Sequence, residues 1–343
     1  MRTNLLLLFI VYAIFACKKT AAKTERDTNP PDTTNHDFAK GADISWLTQM
    51  ETSGIKFYNS TGTEQDCMQI LKGVGINSVR LRVWVDPAGG WNNTADVVAK
   101  ALRAKAAGMR IMIDFHYSDS WADPGQQTKP AAWKSQNFAT LKQSLADHTT
   151  SVLTTLKSNG IIPTWVQIGN ETNDGMLWPD GKASTNMNNF AQLIIAGYDA
   201  VKAVDTSIKV IVHISNGYDN NLFRWMFDGL KSNGVQWDII GMSLYPSVSN
   251  WSTLNNQCLA NMNDMVSRYN KDVMVVEVGM SWDQASVCNS FLTDLISKVK
   301  SVPDGRGLGV FYWEPEAYNN WQGYTLGAFD DSGKPTSALN AFK

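Results

Sequence analysis

Short apolar runs alternate with longer amphipathic stretches along most of this chain. From about residue 40 the rhythm is strand-like run, helical stretch, strand-like run. The predicted strands are Gly41–Ser45, Ser78–Trp84, Met109–His116, the run Thr164–Ile168 leading to Glu171, Lys209–Ile214, Trp237–Tyr245, Val273–Glu277 and Leu308–Trp313. Between them the spacing predicts helices at Asp66–Lys72, Asp96–Ala107, Trp133–Ser158, Met187–Val204, Asn221–Lys231, Leu254–Tyr269 and Ser290–Val299. A weak closing helix is expected at Ser337–Phe342. Gly108 and Asn159-Gly160 stop two of these helices. Eight strands with interleaved helices predict an α/β fold of the (β/α)8 TIM-barrel type, in one domain over residues 38–343. A doubly wound open sheet is the rival, and it would carry a glycine-rich first turn that is absent here. The polar segment Tyr117–Pro130 reads as a loop over the site rather than a linker.

The pattern differs upstream. Met1-Arg2-Thr3-Asn4 is a short positive region, and Leu5–Ala16 is an apolar stretch too short to span a bilayer comfortably. It ends Ile14-Phe15-Ala16-Cys17, which resembles a bacterial lipoprotein cleavage box with an unusually bulky Phe15. Residues 1–16 are therefore expected to be a signal peptide, and Cys17 the lipidated first residue. Lys18 to about Asp37 has almost nothing apolar, as in a flexible tether. The expected product is an exported lipoprotein at the outer membrane, cell surface or periplasmic face, touching the membrane through its lipid only.

Composition narrows the chemistry. The 343 residues are 43% hydrophobic, enough for one large core or two modest ones. With 30 basic and 32 acidic side chains there is no positive surplus to attract nucleic acid. The chain holds 13 Trp, 10 Tyr and 13 Phe, more indole than packing alone demands, and sugars are ligands that would use it. Cys67, Cys258 and Cys288 are no disulfide framework, although a Cys258–Cys288 pair stays open. No zinc-ligand set, GxGxxG turn or Walker loop occurs, so no cofactor is expected.

Polar groups collect where apolar strands end: Asp43, Arg80, Arg82, His116, Asn170, Glu171, Tyr245, Glu277 and Trp313. In a barrel these ends converge on one face. Glu171 and Glu277 follow two different buried runs. Two carboxyls brought together in this way suit hydrolysis of a glycosidic bond, one as proton donor and one as nucleophile or base.

Several segments carry a family resemblance. They are Gly41-Ala42-Asp43-Ile44-Ser45 with Glu51 and Phe57-Tyr58 following, and Val79-Arg80-Leu81-Arg82-Val83-Trp84. Next come Asp114-Phe115-His116-Tyr117-Ser118-Asp119 and Trp121-Ala122-Asp123-Pro124-Gly125, with Pro130 and Trp133 downstream. Asn170-Glu171, Glu277 and Phe311-Tyr312-Trp313-Glu314-Pro315 complete the set. From about residue 38 to its end the chain resembles the endo-β-1,4-galactanases of glycoside hydrolase family 53.

The resemblance implies an endo-acting, retaining hydrolase of β-1,4-galactan in pectin side chains, expected to be a monomer. Glu171 would be the acid/base and Glu277 the nucleophile, with carboxyls roughly 5 Å apart. It further implies that Asn170 bonds the sugar 2-hydroxyl and that an arginine sits beside the nucleophile. Arg80 and Arg82 face the same side, so parity cannot separate them, but the clan pattern favours Arg80. Tyr245 would donate to the nucleophile, His116 would bond substrate or orient Glu171, and Trp313 would be the platform under the sugar just before the cleaved bond. Asp43, Trp84 and Trp121 join as supporting residues. Glu314 and Glu316 read as loop structure or as charge for a cation. Some family members bind calcium in that loop, where Asp330 and Asp331 could supply oxygens, so calcium stays open although no Asp-rich cation loop is recognisable. An endo-β-1,4-glucanase or β-mannanase of the same clan is the alternative enzyme. A non-catalytic glycan-binding lipoprotein would be expected to have lost one carboxylate.

Overall fold

Eight parallel strands pair in chain order and close on themselves, the first beside the last. They are β1 (Ala39–Asp43), β2 (Ser78–Val83), β3 (Arg110–Phe115), β4 (Trp165–Ile168), β5 (Lys209–Ile214), β6 (Ile239–Leu244), β7 (Asp272–Val278) and β8 (Gly307–Trp313). The helices are α1 (Leu47–Thr52), α2 (Cys67–Gly73), α3 (Thr94–Ala106), α4 (Phe138–Ser158), α5 (Met187–Val204), α6 (Asn220–Ser232), α7 (Trp251–Tyr269) and α8 (Ala285–Lys300). This computed structural model describes residues 38–343, so the signal peptide, Cys17 and the tether lie outside the described residues. The expected (β/α)8 barrel is the fold observed.

Each helix forms for a local reason. In α5, Phe190, Leu193, Ile194, Gly197, Ala200 and Val201 recur every three or four residues and form the buried stripe. The Asn186 side chain accepts from the Asn189 N–H and so satisfies one of the unpaired donors at its start. Asn137 caps α4 in the same way through Thr140. That cap explains a difference from expectation: Ala131–Trp133 is a separate 3-10 turn, and the long helix begins only at Phe138. The short α1 was not expected, because only Leu47 and Met50 of its six residues are buried.

The hydrophobic core has two parts. The larger lies between helices and sheet. The smaller gathers Ala39, Met112, Trp165, Ile211, Ile239, Met274, Val276 and Phe311 from seven strands, as the inward faces of a barrel would. Gly41 makes room for it, since a Cβ there would come within 2.0 Å of the Phe311 ring. Truncating Phe311 to alanine would leave a cavity costing about 3–5 kcal/mol. This apolar interior is the floor on which the polar strand ends stand. Among the described residues, no helix is long and apolar enough to cross a membrane. Cys67, Cys258 and Cys288 are buried free thiols, so the Cys258–Cys288 disulfide does not form.

Candidate active site

Arg80 organises the strand ends. It is buried on β2, next in register to Asp43 of β1. Its Nη1 donates to Asp43 Oδ2 at 2.7 Å. Its Nη2 lies 2.8 Å from Asp114 Oδ2, from Glu277 Oε1 and from Asn170 Oδ1. One guanidinium thus meets carboxylates from β1, β3 and β7. Burial opposes its charge, but Asp114, Glu277 and Asp43 outweigh that and hold its pKa above the ordinary value. Asp114 is held below its ordinary value because Arg80 and His116 overcome its burial.

Glu277 has a donor on each oxygen. Arg80 reaches Oε1, and the Tyr245 hydroxyl donates to Oε2 at 3.0 Å. The Tyr245 ring is otherwise partly open to solvent and lines the cleft.

The chain leaves β4 at Ile168 and turns sharply to present Asn170 and Glu171. Gly169 has φ 82° and Glu171 φ 43°. A Cβ on residue 169 would meet Thr172 Cγ2 at 2.6 Å, so only glycine fits that turn. The left-handed backbone at Glu171 costs about 1–3 kcal/mol and persists because its surroundings over-determine it. Gln127 Nε2 donates to the Asn170 carbonyl at 2.8 Å, and Asn170 Nδ2 donates to the Ala122 carbonyl at 2.8 Å. Thr172 N donates to the His213 carbonyl at 2.9 Å. The loop after β3 and the end of β5 therefore grip this segment from both sides.

Glu171, Glu277, Asn170, His116, Tyr245, Trp121, Ala122, Asp123 and Trp313 line one cleft of about 250 Å³. Burial raises the pKa of Glu171, and burial raises Glu277 to about 8 despite Arg80. Each carboxylate also raises the other's cost of ionising, so the pair holds one proton near neutrality. Two donors converge on Glu277, which favours the charge there and the proton on Glu171.

Trp313 is half-buried in an aromatic wall. It packs on Trp46 at 5.2 Å, Tyr324 at 4.7 Å and Trp121 at 5.8 Å between ring centroids. Arg82 lies behind this wall. Its guanidinium sits 4.2 Å from the Trp121 ring, 4.9 Å from Trp84 and 5.7 Å from Trp46. Its Nε and Nη2 find no oxygen and face indoles instead, while Nη1 donates to Glu314 Oε1 at 3.1 Å.

One expectation needs correction. His116 does not orient Glu171. Its Nδ1 accepts from Trp84 Nε1 and from the Ala122 N–H, and its Nε2 lies 3.0 Å from Asp114. Burial lowers its pKa, and this bonding pattern is that of the neutral ring protonated at Nε2. Glu314 and Glu316 take the first of their two expected roles, that of loop structure. Glu314 pairs with Arg82 and accepts from the Trp46 N–H, and Glu316 is fully buried, where the charge of Glu314 adds to the cost of ionising it. Burial raises Glu314 to about 7, and burial with the Glu314 charge raises Glu316 well above the usual carboxylate range, so this pair also keeps a proton. Asp330 spends Oδ1 on its own turn, on Ser332 and Lys334. Among the described residues, no group of three or more His, Cys, Asp or Glu is arranged to hold a metal ion.

Sequence reasoning missed Asp114, Gln167, His213 and Ser243, all buried strand residues. Gln167 Nε2 donates to Asp114 Oδ1 at 2.6 Å and approaches His213 Nδ1 at 2.9 Å. The available signal was a polar side chain inside each otherwise apolar run.

A (β/α)8 barrel with two carboxyls from different strands in one aromatic cleft defines a glycoside hydrolase. The chain belongs to glycosyl hydrolase family 53, whose model matches residues 39–291 and 283–342. It is 34% identical to an arabinogalactan endo-beta-1,4-galactanase of Thermothelomyces thermophilus, covering 89% of this chain and 98% of that protein. The structure of a fungal beta-1,4-galactanase superposes with a TM-score of 0.81 at 34% identity, covering 88% of this chain and 98% of that one. The family 53 catalytic domain of Ignisphaera aggregans gives a TM-score of 0.81 at 30% identity, over 92% and 98% of the two chains.

Proposed function

We propose that this protein is an endo-acting, retaining β-1,4-galactanase that cuts galactan or arabinogalactan chains. The observation that carries the reading is the unequal setting of two carboxyls in one cleft. Glu277 receives Arg80 and Tyr245, whereas Glu171 stands half-buried with no cation directly on it. Glu277, kept charged by its donors, attacks the anomeric carbon. The glycosidic C–O bond breaks, its electron pair goes to the leaving oxygen, and that oxygen takes the proton of Glu171. Glu171, now ionised, removes a proton from water. The resulting attack on the anomeric carbon releases Glu277. Asn170 keeps one N–H of its amide free of the Ala122 bond for the sugar 2-hydroxyl, and Trp313 offers an indole face to the ring.

The substrate preference is supported by the galactanase relatives. Product analysis on linear β-1,4-galactan beside β-glucan and mannan tests it: galacto-oligosaccharides from the first substrate alone are expected, and equal cleavage of glucan or mannan would refute it. Proton NMR should show β as the first-formed anomer, and an α product would overturn retention.

Cys17 carries the lipid anchor in this reading, supported by Ile14-Phe15-Ala16-Cys17 after an apolar run. Two or more acyl chains would make attachment stable. Cys17→Ser should release the protein from membranes or block its processing, without changing activity per folded molecule. Unchanged membrane association would disprove the anchor.

A further inference from the structure

Ser45 stands just past the end of β1 with every polar atom occupied. Its N–H and its hydroxyl both donate to Asp43 Oδ1, at 3.0 and 2.5 Å. The hydroxyl oxygen accepts from the Arg82 N–H at 2.8 Å. A backbone N–H can only donate, so the hydroxyl proton is committed to the carboxylate. The Ser45 carbonyl accepts from Lys100 Nζ at 2.6 Å. Lys100 reaches it from α3 and gives its other two protons to Asn92 Oδ1 and Asp96 Oδ2, both at 2.8 Å. Three protons thus meet three acceptors, and this buried ammonium pins the backbone of residue 45.

Asp43 passes that order inward. Strand register places it beside Arg80 but does not choose which way its carboxylate turns. Ser45 makes the choice: with Oδ1 taken, Oδ2 faces Arg80 Nη1 at 2.7 Å. The other terminal nitrogen of Arg80 is left to meet Glu277 Oε1 at 2.8 Å. Asp43, Ser45 and Arg80 are all buried, so water does not compete for these contacts.

We infer that Ser45 is a positioning residue for the nucleophile: it holds one oxygen of Asp43, Asp43 holds Arg80, and Arg80 meets Glu277. The hydroxyl has a second effect. It takes up part of the Asp43 charge, which otherwise competes for Arg80 and opposes ionisation of Glu277. This inference rests on Glu277 being the nucleophile. The charged and titratable groups facing Glu277 are Arg80 of β2, Asp43 of β1, Asp114 of β3, Glu171 after β4, Tyr245 after β6 and Tyr324 after β8. Asp43 faces Glu314 and Glu316 as well. Ser45→Ala keeps every one of these groups.

The test is a double-mutant cycle of Ser45→Ala and Asp43→Asn, read on galactan and on a dinitrophenyl β-galactobioside, whose leaving group needs no proton. Ser45→Ala should lose about tenfold in kcat/KM on both substrates alike, because both need the nucleophile, whereas a fault in the acid would spare the second. The acid limb of its pH profile should move upward. In the Asp43→Asn background, adding Ser45→Ala should leave the limb in place and change kcat/KM by no more than about twofold, since the hydroxyl acts through that carboxylate. Ser45→Ala also strands the Arg82 N–H, so unfolding midpoints are measured alongside. Lost stability with an unmoved limb would overturn the inference, as would full additivity in the cycle. Trapping with a 2-fluoro galactobioside of the same leaving group, followed by mass spectrometry of peptides, separates the two levels. A label on Glu277 with an unmoved Ser45→Ala limb removes only the positioning role. A label on any other carboxyl removes the nucleophile reading itself.

Discussion

Arg80 and Arg82 stand two residues apart on β2, both buried and both facing into the barrel, yet they live in different chemistry. Arg80 is saturated with oxygen: Asp43, Asp114, Glu277 and Asn170 all reach it. Arg82 has one carboxylate, Glu314, and three indole rings. The first arginine sets the charge of a reacting group. The second stiffens the wall that substrate leans on. Strand parity made them equivalent, and only their neighbours on other strands made them different.

The comparison can be broken most severely at Arg80. Arg80→Met strands Asp43, Asp114 and Glu277 without their shared cation, and breaking buried pairs costs about 3–5 kcal/mol. Glu277 should then hold its proton, and kcat/KM should fall at least about a hundredfold, the lower end of that energy range. Steady-state kinetics with denaturant unfolding would measure both. Trp313→Ala attacks the wall itself. It should cost at least ~1 kcal/mol of transition-state stabilisation with the fold kept. A kcat/KM within twofold of wild type, with unchanged circular dichroism, would show that this tryptophan merely packs.

Arg82→Met sharpens the contrast. Glu314 can accept a proton once its cation is gone, so stability should fall by about 1–3 kcal/mol while kcat/KM stays within roughly threefold. Equal losses at Arg80 and Arg82 would erase the distinction. The pH dependence of stability gives a gentler probe. Glu314 has an ordinary value of 4.5 and is raised to about 7 in the fold. The folded state therefore binds that proton more tightly than the unfolded chain. The stability it contributes is full below 4.5 and is lost as pH climbs through 7. Glu314→Gln should flatten that part of the melting-temperature profile, leaving the further decline due to the Glu171–Glu277 pair. The smallest effect belongs to Glu316→Gln. Its carboxyl already keeps its proton, so a neutral amide should change the unfolding free energy by no more than about 0.5 kcal/mol.

Legibility from sequence followed the length and regularity of each signal. Met187–Val204 and Lys209–Ile214 were readable to their end residues, because one repeats every three to four residues and the other is a short run dominated by Val and Ile. The six-residue α1 offered too few turns to show a period. Glu171 and Glu277 announced themselves as acids where apolar runs stop. Asp114, Gln167, His213 and Ser243 did not, because a single polar residue within a buried strand has no visible partner until the barrel closes. Gln167 and His213 are 46 residues apart, and only the pairing of neighbouring strands brings them together.

The loop after β3 does more than border the cleft. Through Ala122 and Gln127 it holds the side chain and carbonyl of Asn170, and so fixes the turn that carries Glu171. It is a brace for machinery rooted in a neighbouring strand. Exchanging this loop with that of another barrel enzyme would disturb the acid as well as the groove. A protease nick within it should silence the enzyme before the barrel loosens. The loops after β5 and β6 are tied in as well, through Ser215, which bonds Asn173, and through Tyr245, the donor to Glu277, so reshaping either from its first residue would touch a carboxyl too.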